Sequence, residues 1–580
     1  MTYPSAGCET CKSRRIKCDE TKPTCKRCKK SRRVCLWGQS TDQTYFSIHN
    51  ENRYASGNTK RPRGPRSALT GTHHHHHHHH HHQHSSNTPQ QGQQLQQYRS
   101  LHIDLSTRAL VYYLHYYLAK PYAQDTVPSI SRGLHDHLGS WLSGTKHCNP
   151  LVDLAISSMA LAVFARTQHH PPAAIEASAK YQRLLAMMRT SISSPNLVDD
   201  AKNIDDCLLA IFFMSRFEDS NHCRFDMAHG NGKVMRLADY SPNSYAHHDG
   251  ALAILKIWKE HHCPHQYLAH SQSPKQAAPS EIIKYLRRGM IRSAVLRHLA
   301  LPEWLWEGRW YGEKGLDLGY DRAIVRIVNL RRELAVLVQR QSHTQTLSHE
   351  MLLAADKLND EARDIDTELH EWTSRFPRAW SYQKHTLTAT DPHLGDGNSR
   401  NGEKEHFYSS TVYSYASPAH PAAWILYFAT RMLINNARLK ILGLLLCPQR
   451  RQPTPHSNLE GESDAYEYEK QRQECLSRLN ATADDLASSI PFILERFKVK
   501  EKDDTGSSDY SDQNQIIFNT DKEIKPYLAT LAAWPLSIAS CLDGLDLKQR
   551  LWFGSELASI GRILGVGVFE FAVTDQWLKL

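Results

Sequence analysis

The sequence predicts a small metal-stapled N-terminal segment with two short helices, then a disordered linker, then a large and mostly all-α domain. Six of the thirteen cysteines lie within the first thirty-five of the 580 residues, and this segment has too few apolar residues to build a core. The next stretch is rich in Gln, Ser, Asn and His, which bury too little apolar surface to offset chain entropy. From about residue 101 onward, apolar residues recur at helical intervals, and no alternating strand pattern stands out.

The six cysteines form an internal repeat of two halves, each a C-x2-C pair followed by a basic run and a third cysteine. They are Cys8, Cys11, Cys18, Cys25, Cys28 and Cys35. A C-x2-C pair at the start of a helix places both sulfurs on one turn, facing a common metal ion. A structural zinc ion needs four ligands, so six thiolates serve two zinc ions only if two sulfurs are shared. The pseudo-symmetry predicts that Cys8 and Cys25, the first cysteine of each half, are the shared ones.

Two alternatives use the same cysteines differently. A single four-cysteine zinc site, built from the two C-x2-C pairs, would leave Cys18 and Cys35 without a metal ion. A disulfide framework is the other alternative, but the first seven residues lack the apolar core of a secretory signal. We therefore expect a cluster with two Zn²⁺ ions per chain.

The basic charge of the chain is concentrated near its N-terminus. Residues 1–66 contain sixteen Lys and Arg against five Asp and Glu, a net charge of +11, whereas the whole chain carries +10. The remaining residues are therefore close to neutral. Such a local basic patch predicts contact with nucleic acid rather than a general effect on solubility.

The cysteine spacing resembles the binuclear zinc-cluster domain of fungal two-zinc, six-cysteine transcription factors. All six cysteines match, and Pro23 stands in the loop between the halves, where the family commonly has a proline. The resemblance implies a sequence-specific transcription regulator of the RNA polymerase II type that binds double-stranded DNA in the nucleus and is not an enzyme. It also implies that Arg14 and Arg15, third and fourth after the second cysteine, contact a CGG triplet in the major groove. Long basic side chains suit the O6 and N7 acceptors of guanine.

Other basic residues are candidates for DNA contacts that carry no sequence information. Lys17, Lys26 and Arg27 are expected to contact phosphates, and Lys12 lies in the same basic run as Arg14. Taken singly, each of these side chains can also be a solvated charge. A second basic run, at residues 60–66, fits either a nuclear-import or phosphate-tracking patch or a charged linker.

We divide the chain into a DNA-binding domain (residues 1–40), a disordered linker (41–100) and a helical regulatory domain (101–580). The linker contains ten consecutive histidines, at residues 73–82, which could bind Zn²⁺ or Ni²⁺. Residues 36–54 show no heptad pattern, so no coiled-coil dimer is predicted directly after the cysteine segment. A homodimer would have to form elsewhere.

The C-terminal domain is predicted to be helical from its apolar periodicity. Helices are expected at residues 151–164, 171–188, 281–301, 322–341, 424–446, 471–497 and 551–568. The clearest pattern runs from Met351 to Trp372 in steps of four and three residues, with Ser348 as the N-cap. This stripe fits either the helix's own core, which we favour, or a dimer seam.

Parts of the C-terminal domain also resemble the helical regulatory region that follows the cluster in many fungal regulators. The resemblance rests on residues 153–177 and 534–553, and it implies a region that holds the factor inactive or senses an effector. Acidic segments at 459–469 and 502–515 fit either contacts with the transcription machinery or exposed loops.

Catalytic and membrane signatures are missing from the sequence. There is no G-x-S-x-G, no Walker loop, no H-E-x-x-H and no dinucleotide fingerprint after a strand. The adjacent histidines at 169–170, 247–248 and 261–262 are interpreted as surface or packed residues. The longest uncharged stretch, 407–430, is rich in Ser, Tyr, Pro and His and does not predict a membrane span. The alternative to a DNA-binding regulator is a zinc-stabilised interaction scaffold without sequence-specific DNA binding.

Overall fold

The chain divides into two compact units, Met1–Gln96 and Gln97–Leu580. The structure, a computed structural model, describes residues 8, 10–11, 16–21, 24–31, 33–35, 103–118, 138, 149–197, 200–221, 242–261, 279–344, 348–387, 406–446, 460–500, 516–519, 523–574, 577 and 580. The basic run at 60–66, the histidine tract and the acidic segment 502–515 lie outside the described residues. The three-part division at residues 40 and 100 stays a prediction.

In the described part of the first unit, residues 10 and 11 are helical, and one short helix, α1 (Lys26–Lys30), is described from end to end. The described part of the second unit contains twelve α-helices of nine or more residues, several shorter helical turns and four short strands. The helices are α2 (Leu105–Tyr113), α3 (Pro150–Thr167), α4 (Pro171–Ile192), α5 (Ala201–Asn221), α6 (Pro242–His261), α7 (Glu281–Arg297), α8 (Gly315–Thr344), α9 (His349–Ser374), α10 (Pro421–Leu445), α11 (Glu460–Ile493), α12 (Pro526–Ala539) and α13 (Leu547–Leu564). The strands are β1 (Tyr382–Thr386), β2 (Thr411–Tyr415), β3 (Phe497–Val499) and β4 (Ile516–Phe518).

Helix α3 forms the centre of the N-terminal part of this unit. It begins with a proline, and the side chain of Asn149 accepts a hydrogen bond from the Leu151 amide at 3.0 Å. It is the one helix in the described residues that is long and apolar enough to cross a membrane. Helices α2, α4 and α5 pack around it, and 67% of it is buried inside the protein. Its apolar faces are therefore accounted for by packing in the core.

Helices α7 and α8 are joined by a buried ion pair. The guanidinium of Arg287 is fully buried and donates to both carboxylate oxygens of Asp321, at 2.5 and 3.0 Å. It also donates to the carbonyl oxygen of Leu305 at 2.7 Å from Nη2. These bonds satisfy both charges, and removal of either partner would leave the other charge buried and uncompensated.

The periodic helix predicted between Met351 and Trp372 is α9. Ser348 caps it, because its hydroxyl accepts a hydrogen bond from the Met351 amide at 3.3 Å. Every apolar residue of the stripe is buried within this unit, and the indole Nε1 of Trp372 donates to the carbonyl oxygen of Leu316 at 2.9 Å. The stripe therefore belongs to the helix's own core, which is the favoured interpretation, and is not available as a dimer seam.

The two strand pairs are short and antiparallel. In the first pair Tyr382 lies opposite Tyr415 and Thr386 opposite Thr411; in the second, Phe497 lies opposite Phe518. Strand β2 packs on α11. The sequence did not predict these strands, because runs of three to five residues are too short to show a period of two. Their pairing also joins segments that are far apart in the sequence.

The mostly helical fold is confirmed, and each predicted helix overlaps an observed one. The predicted ends are less accurate. The helix expected to reach residue 301 ends at Arg297, because His298 takes a left-handed conformation at φ 53° and stops it. Four observed helices were not predicted: α2, α5, α6 and α12. Helix α12 contains Pro535 in its interior, which the sequence pattern suggests as a helix breaker.

Candidate metal centre and nucleic-acid interface

The six cysteines of the first unit pack against one another instead of against apolar side chains. Cys8, Cys11, Cys25 and Cys28 are fully buried, and Cys18 and Cys35 are partly buried at the edge of the group. None of the six forms a disulfide. The buried core formed by the described residues of this segment is thus made of sulfur, as expected for a segment that lacks a hydrophobic core.

The distances between the sulfur atoms fit a shared metal centre. The Cys8 Sγ lies 3.8 Å from that of Cys25 and 3.8 Å from that of Cys28, and the Cys11 Sγ lies 3.6 Å from that of Cys25. Four sulfurs placed tetrahedrally about 2.3 Å from a zinc ion are separated from each other by about 3.8 Å. A disulfide would instead bring two sulfurs to about 2.05 Å. The sulfurs therefore stand at the separation that zinc requires.

The sulfurs fall into two groups of four in which all the sulfur atoms lie within 4.8 Å of one another. One group is Cys8, Cys11, Cys18 and Cys25, and the other is Cys8, Cys25, Cys28 and Cys35. Two groups of four made from six atoms must share two, and the shared atoms are those of Cys8 and Cys25. The arrangement fits two zinc ions, each with four sulfur ligands.

The internal repeat of the sequence is repeated in the backbone hydrogen bonds, with an offset of seventeen residues. The Cys8 amide donates to the Cys18 Sγ at 3.5 Å, and the Cys25 amide donates to the Cys35 Sγ at 3.4 Å. Likewise, the Ile16 amide donates to the Cys11 carbonyl oxygen at 3.1 Å, and the Arg33 amide to that of Cys28 at 3.0 Å. These hydrogen bonds of the described residues thus follow the same pattern in both halves.

The thiols of the cluster differ in acidity. At Cys8 and Cys25 burial opposes ionisation, but hydrogen bonds from the backbone of Cys11 and Cys28 and from neighbouring thiols lower the pKa overall. Burial raises the pKa of Cys28 to about 12 and also raises that of Cys11. A metal ion binds thiolates, so zinc binding must displace protons from these residues.

Asp19 connects the loop after Cys18 to helix α1. Its Oδ2 accepts a hydrogen bond from the Lys26 amide at 3.0 Å, and its Oδ1 accepts one from the Arg27 amide at 3.3 Å. The hydroxyl of Thr21 also donates to this carboxylate. The Thr21 hydroxyl and the two amides lower the pKa of Asp19 to about 2.

The sequence analysis did not single out Asp19, because the N-cap of α1 is Cys25 and no local capping pattern marks a residue so far ahead of the helix. A second contact between the halves was also missed. The Thr10 hydroxyl donates to the carbonyl oxygen of Val34 at 2.8 Å.

The basic residues of the described part of this unit face solvent. Of the candidates for DNA contact, Lys17, Lys26 and Arg27 are exposed, whereas Lys12, Arg14 and Arg15 lie outside the described residues. Helix α1 adds the exposed Lys29 and Lys30, and the described loop beyond it adds Arg33. With four basic residues and no acidic one in five positions, α1 presents a strongly cationic surface.

In the second unit, the described residues contain no further group of three or more metal-ligating side chains close enough to hold an ion. The Nδ1 of His170 accepts a hydrogen bond from the Ala173 amide and caps α4. His247 lies 3.0 Å from Glu218 and 2.9 Å from the Tyr181 hydroxyl, in a polar contact between α4, α5 and α6. These histidines have structural partners, in line with the interpretation as packed residues.

Comparison with known proteins identifies the cysteine segment. Residues 6–44 match the fungal Zn(2)-Cys(6) binuclear cluster domain. Among similar proteins, Transcription factor lfc1 of Flammulina velutipes is 56% identical over 36 residues, which are 6% of this chain and 13% of that protein. Adhesion and hyphal regulator 1 of Candida albicans is 47% identical over 45 residues, 8% of this chain and 7% of that protein. The lysine biosynthesis regulatory protein LYS14 of Saccharomyces cerevisiae is 54% identical over 35 residues, 6% of this chain and 4% of that protein.

The chain thus covers at most 13% of the length of these three relatives. No solved structure matches the chain. The domain match ends at residue 44. It identifies the zinc-cluster domain and leaves the role of the helical unit to be proposed from other observations.

Proposed function

We propose that this chain, which carries a fungal Zn(2)-Cys(6) binuclear cluster domain at its N-terminus, is a sequence-specific transcription regulator that binds double-stranded DNA in the nucleus. One observation carries the proposal: six sulfurs in two groups of four, with Cys8 and Cys25 common to both. A zinc ion with four sulfur ligands has no open position for a substrate, so its role is structural. Relatives of the domain named as a transcription factor and as regulators support the same function.

In this proposal Cys8 and Cys25 bridge two Zn²⁺ ions. Cys11 and Cys18 complete one site, and Cys28 and Cys35 complete the other. Two zinc ions and six thiolates leave the cluster about two units negative, and the surrounding Lys and Arg side chains offset this charge. The metal ions hold the fold, and the basic side chains contact the ligand.

DNA reading is assigned to the basic run after the second cysteine. Arg14 and Arg15 would contact the guanines of CGG-like half-sites in the major groove, with each good contact contributing about 1–3 kcal/mol of discrimination. Lys12, Lys17 and the α1 residues Lys26 and Arg27 would contact phosphates. Such contacts raise affinity on every sequence and make it sensitive to salt.

The helical unit is proposed as the regulatory or effector region, through which co-regulators or the transcription machinery would act. The buried stripe of α9 excludes that helix face as a dimer seam, so a homodimer would use another surface. No role at a membrane is proposed for the chain.

The proposal is tested by selecting preferred duplexes from a random pool with the full zinc-loaded chain. Recovery of CGG-containing duplexes is expected. Arg15→Ala should then weaken binding to the preferred duplex by about 1–3 kcal/mol while leaving binding to random DNA almost unchanged. Lys26→Ala, the matched control, should weaken both by a similar factor and lower the salt slope by about one. Equally weak binding to all duplexes would instead support the interaction scaffold.

A further inference from the structure

The first turn of α1 has a complete set of hydrogen-bond partners, half of them supplied by one side chain. The first four amides of any helix lack partners within the helix. Here Asp19 accepts from Lys26 and Arg27, at 3.0 and 3.3 Å. The Cys25 Sγ accepts from the Cys28 amide at 3.3 Å, and the Cys35 Sγ accepts from the Cys25 amide at 3.4 Å. Without Asp19, two of the four amides would lose their partners.

Asp19 also connects the two halves of the cysteine segment. It directly follows Cys18, which belongs to one group of four sulfurs, whereas α1 carries Cys28 of the other group. The carboxylate therefore fixes the end of the first half against the helix of the second half.

The side chain that makes this contact is not repeated in the sequence. The repeat has an offset of seventeen residues, so the position equivalent to Asp19 is Leu36, which has no hydrogen-bonding side chain. The two halves are thus chemically different at this point, although two pairs of backbone hydrogen bonds match between them.

The contact also restricts how α1 can meet DNA. The Lys26 and Arg27 amides are already occupied by Asp19, so a phosphate cannot take them without displacing the carboxylate. Only the side chains of these two residues remain available, and both are exposed.

We propose that Asp19 is a positioning residue for DNA binding: it holds α1 in place so that the side chains of Lys26 and Arg27 face the phosphates. This inference rests on the proposed function. It is unexpected from charge alone, because a carboxylate within a basic surface repels DNA. Positioning and repulsion therefore predict opposite effects when Asp19 is replaced.

Three variants separate the two effects. Asp19→Asn removes the charge and keeps one of the two acceptor oxygens, whereas Asp19→Ala removes the charge and both acceptors. Glu20→Gln removes the neighbouring charge; Glu20 is exposed, and its side chain makes no hydrogen bond to the part of the chain that the structure describes. Zinc content is measured in each variant, and affinities are compared at equal zinc loading.

Binding of the full chain to the selected duplex is measured at two salt concentrations. We expect Asp19→Asn and Glu20→Gln to bind as tightly as the natural chain, or more tightly at low salt. Asp19→Ala should bind about threefold to thirtyfold more weakly than Asp19→Asn, the range expected from the loss of a helix cap. The difference should persist at high salt, because the two variants carry the same charge. Equal affinities of Asp19→Ala and Asp19→Asn would overturn the inference.

Hydrogen exchange distinguishes failure of this inference from failure of the proposed function. In the zinc-loaded chain without DNA, the peptide that contains Lys26 and Arg27 should exchange about tenfold faster in Asp19→Ala, and not in Glu20→Gln. If the natural chain binds no duplex, the proposed function fails. Hydrogen exchange then still shows whether Asp19 stabilises the first turn of α1. Unchanged exchange in Asp19→Ala would then refute the positioning role.

Discussion

Replacement of a cysteine shared by the two sites should weaken the binding of both zinc ions. Replacement of a cysteine that belongs to one site should weaken the binding of only one ion. Cys8 belongs to both groups of four sulfurs, and Cys18 belongs to one. Cys8→Ala thus leaves each zinc ion with three sulfurs, and Cys18→Ala leaves one ion with its full set. The two variants differ only in which sulfur is removed.

The expected magnitude follows from the number of bonds. A structural zinc ion contributes about 10–16 kcal/mol of binding free energy, or about 2.5–4 kcal/mol for each of four sulfur bonds. Loss of one bond should therefore lower the affinity for that zinc ion by about sixtyfold to seven-hundredfold. In Cys8→Ala this applies to both ions, and in Cys18→Ala to one.

The measurement is a titration of the purified full chain with a chromophoric zinc chelator. The natural chain should release two ions at high chelator concentration. Cys18→Ala should release one ion at low chelator concentration and the other at high concentration. Cys8→Ala should release both ions at low chelator concentration. The far-ultraviolet circular dichroism of the helical unit serves as a control for overall folding.

A single result would contradict this reasoning. If Cys8→Ala retained one ion with the affinity of the natural chain, Cys8 would not be shared between the two sites. The single four-cysteine alternative would be supported if the natural chain itself contained one ion.

Three further predictions concern the helical unit. Trp372 in the α9 stripe is 1% exposed, so Trp372→Ala should lower the free energy of unfolding in urea by about 3–5 kcal/mol. Leu353 lies on the same helix and is 58% exposed, so Leu353→Ala, the control, should change that free energy by less than about 0.5 kcal/mol. Similar losses in the two variants would contradict the assignment of the stripe to the core. Gly443→Ala should raise the free energy of unfolding by about 0.5–1 kcal/mol, because alanine favours a helix more than glycine does. Gly443 is exposed, and an added Cβ would meet nothing within 4 Å. A less stable variant would contradict this description of the site. Burial raises the pKa of Asp205 to about 6, so the natural chain should lose about 1–3 kcal/mol of stability as pH rises from about 4 to 6, where the unfolded state releases its proton first. Asp205→Asn should remove that part of the pH dependence, and an unchanged profile would contradict it.

The metal centre was largely predictable because its determinants are local. Six cysteines at regular intervals, counted against the four bonds that zinc needs, were enough to expect shared sulfurs at Cys8 and Cys25. The grouping of the sulfurs agrees with that expectation. Asp19 was not found in the same way, because its role depends on where the loop after Cys18 returns to α1.

In the helical unit, prediction succeeded where a helix carries a long apolar pattern and failed where an element is interrupted by proline or is very short. The α9 stripe could be recognised in the sequence because one face of that helix is buried. Helix α12 contains an internal proline, and β1 and β2 are short strands that depend on a distant partner. Such elements form because of tertiary packing, which no local pattern records.

The sequence by itself determined the chemistry of this protein: the number and spacing of its sulfur ligands, the concentration of positive charge near its N-terminus, and the helical character of most of the rest. These properties depend on residue type and short-range spacing alone. Only the tertiary structure decided which partners the charged and polar groups take, such as Asp19 with α1 or Arg287 with Asp321. Those pairings depend on distances between segments that meet only after folding.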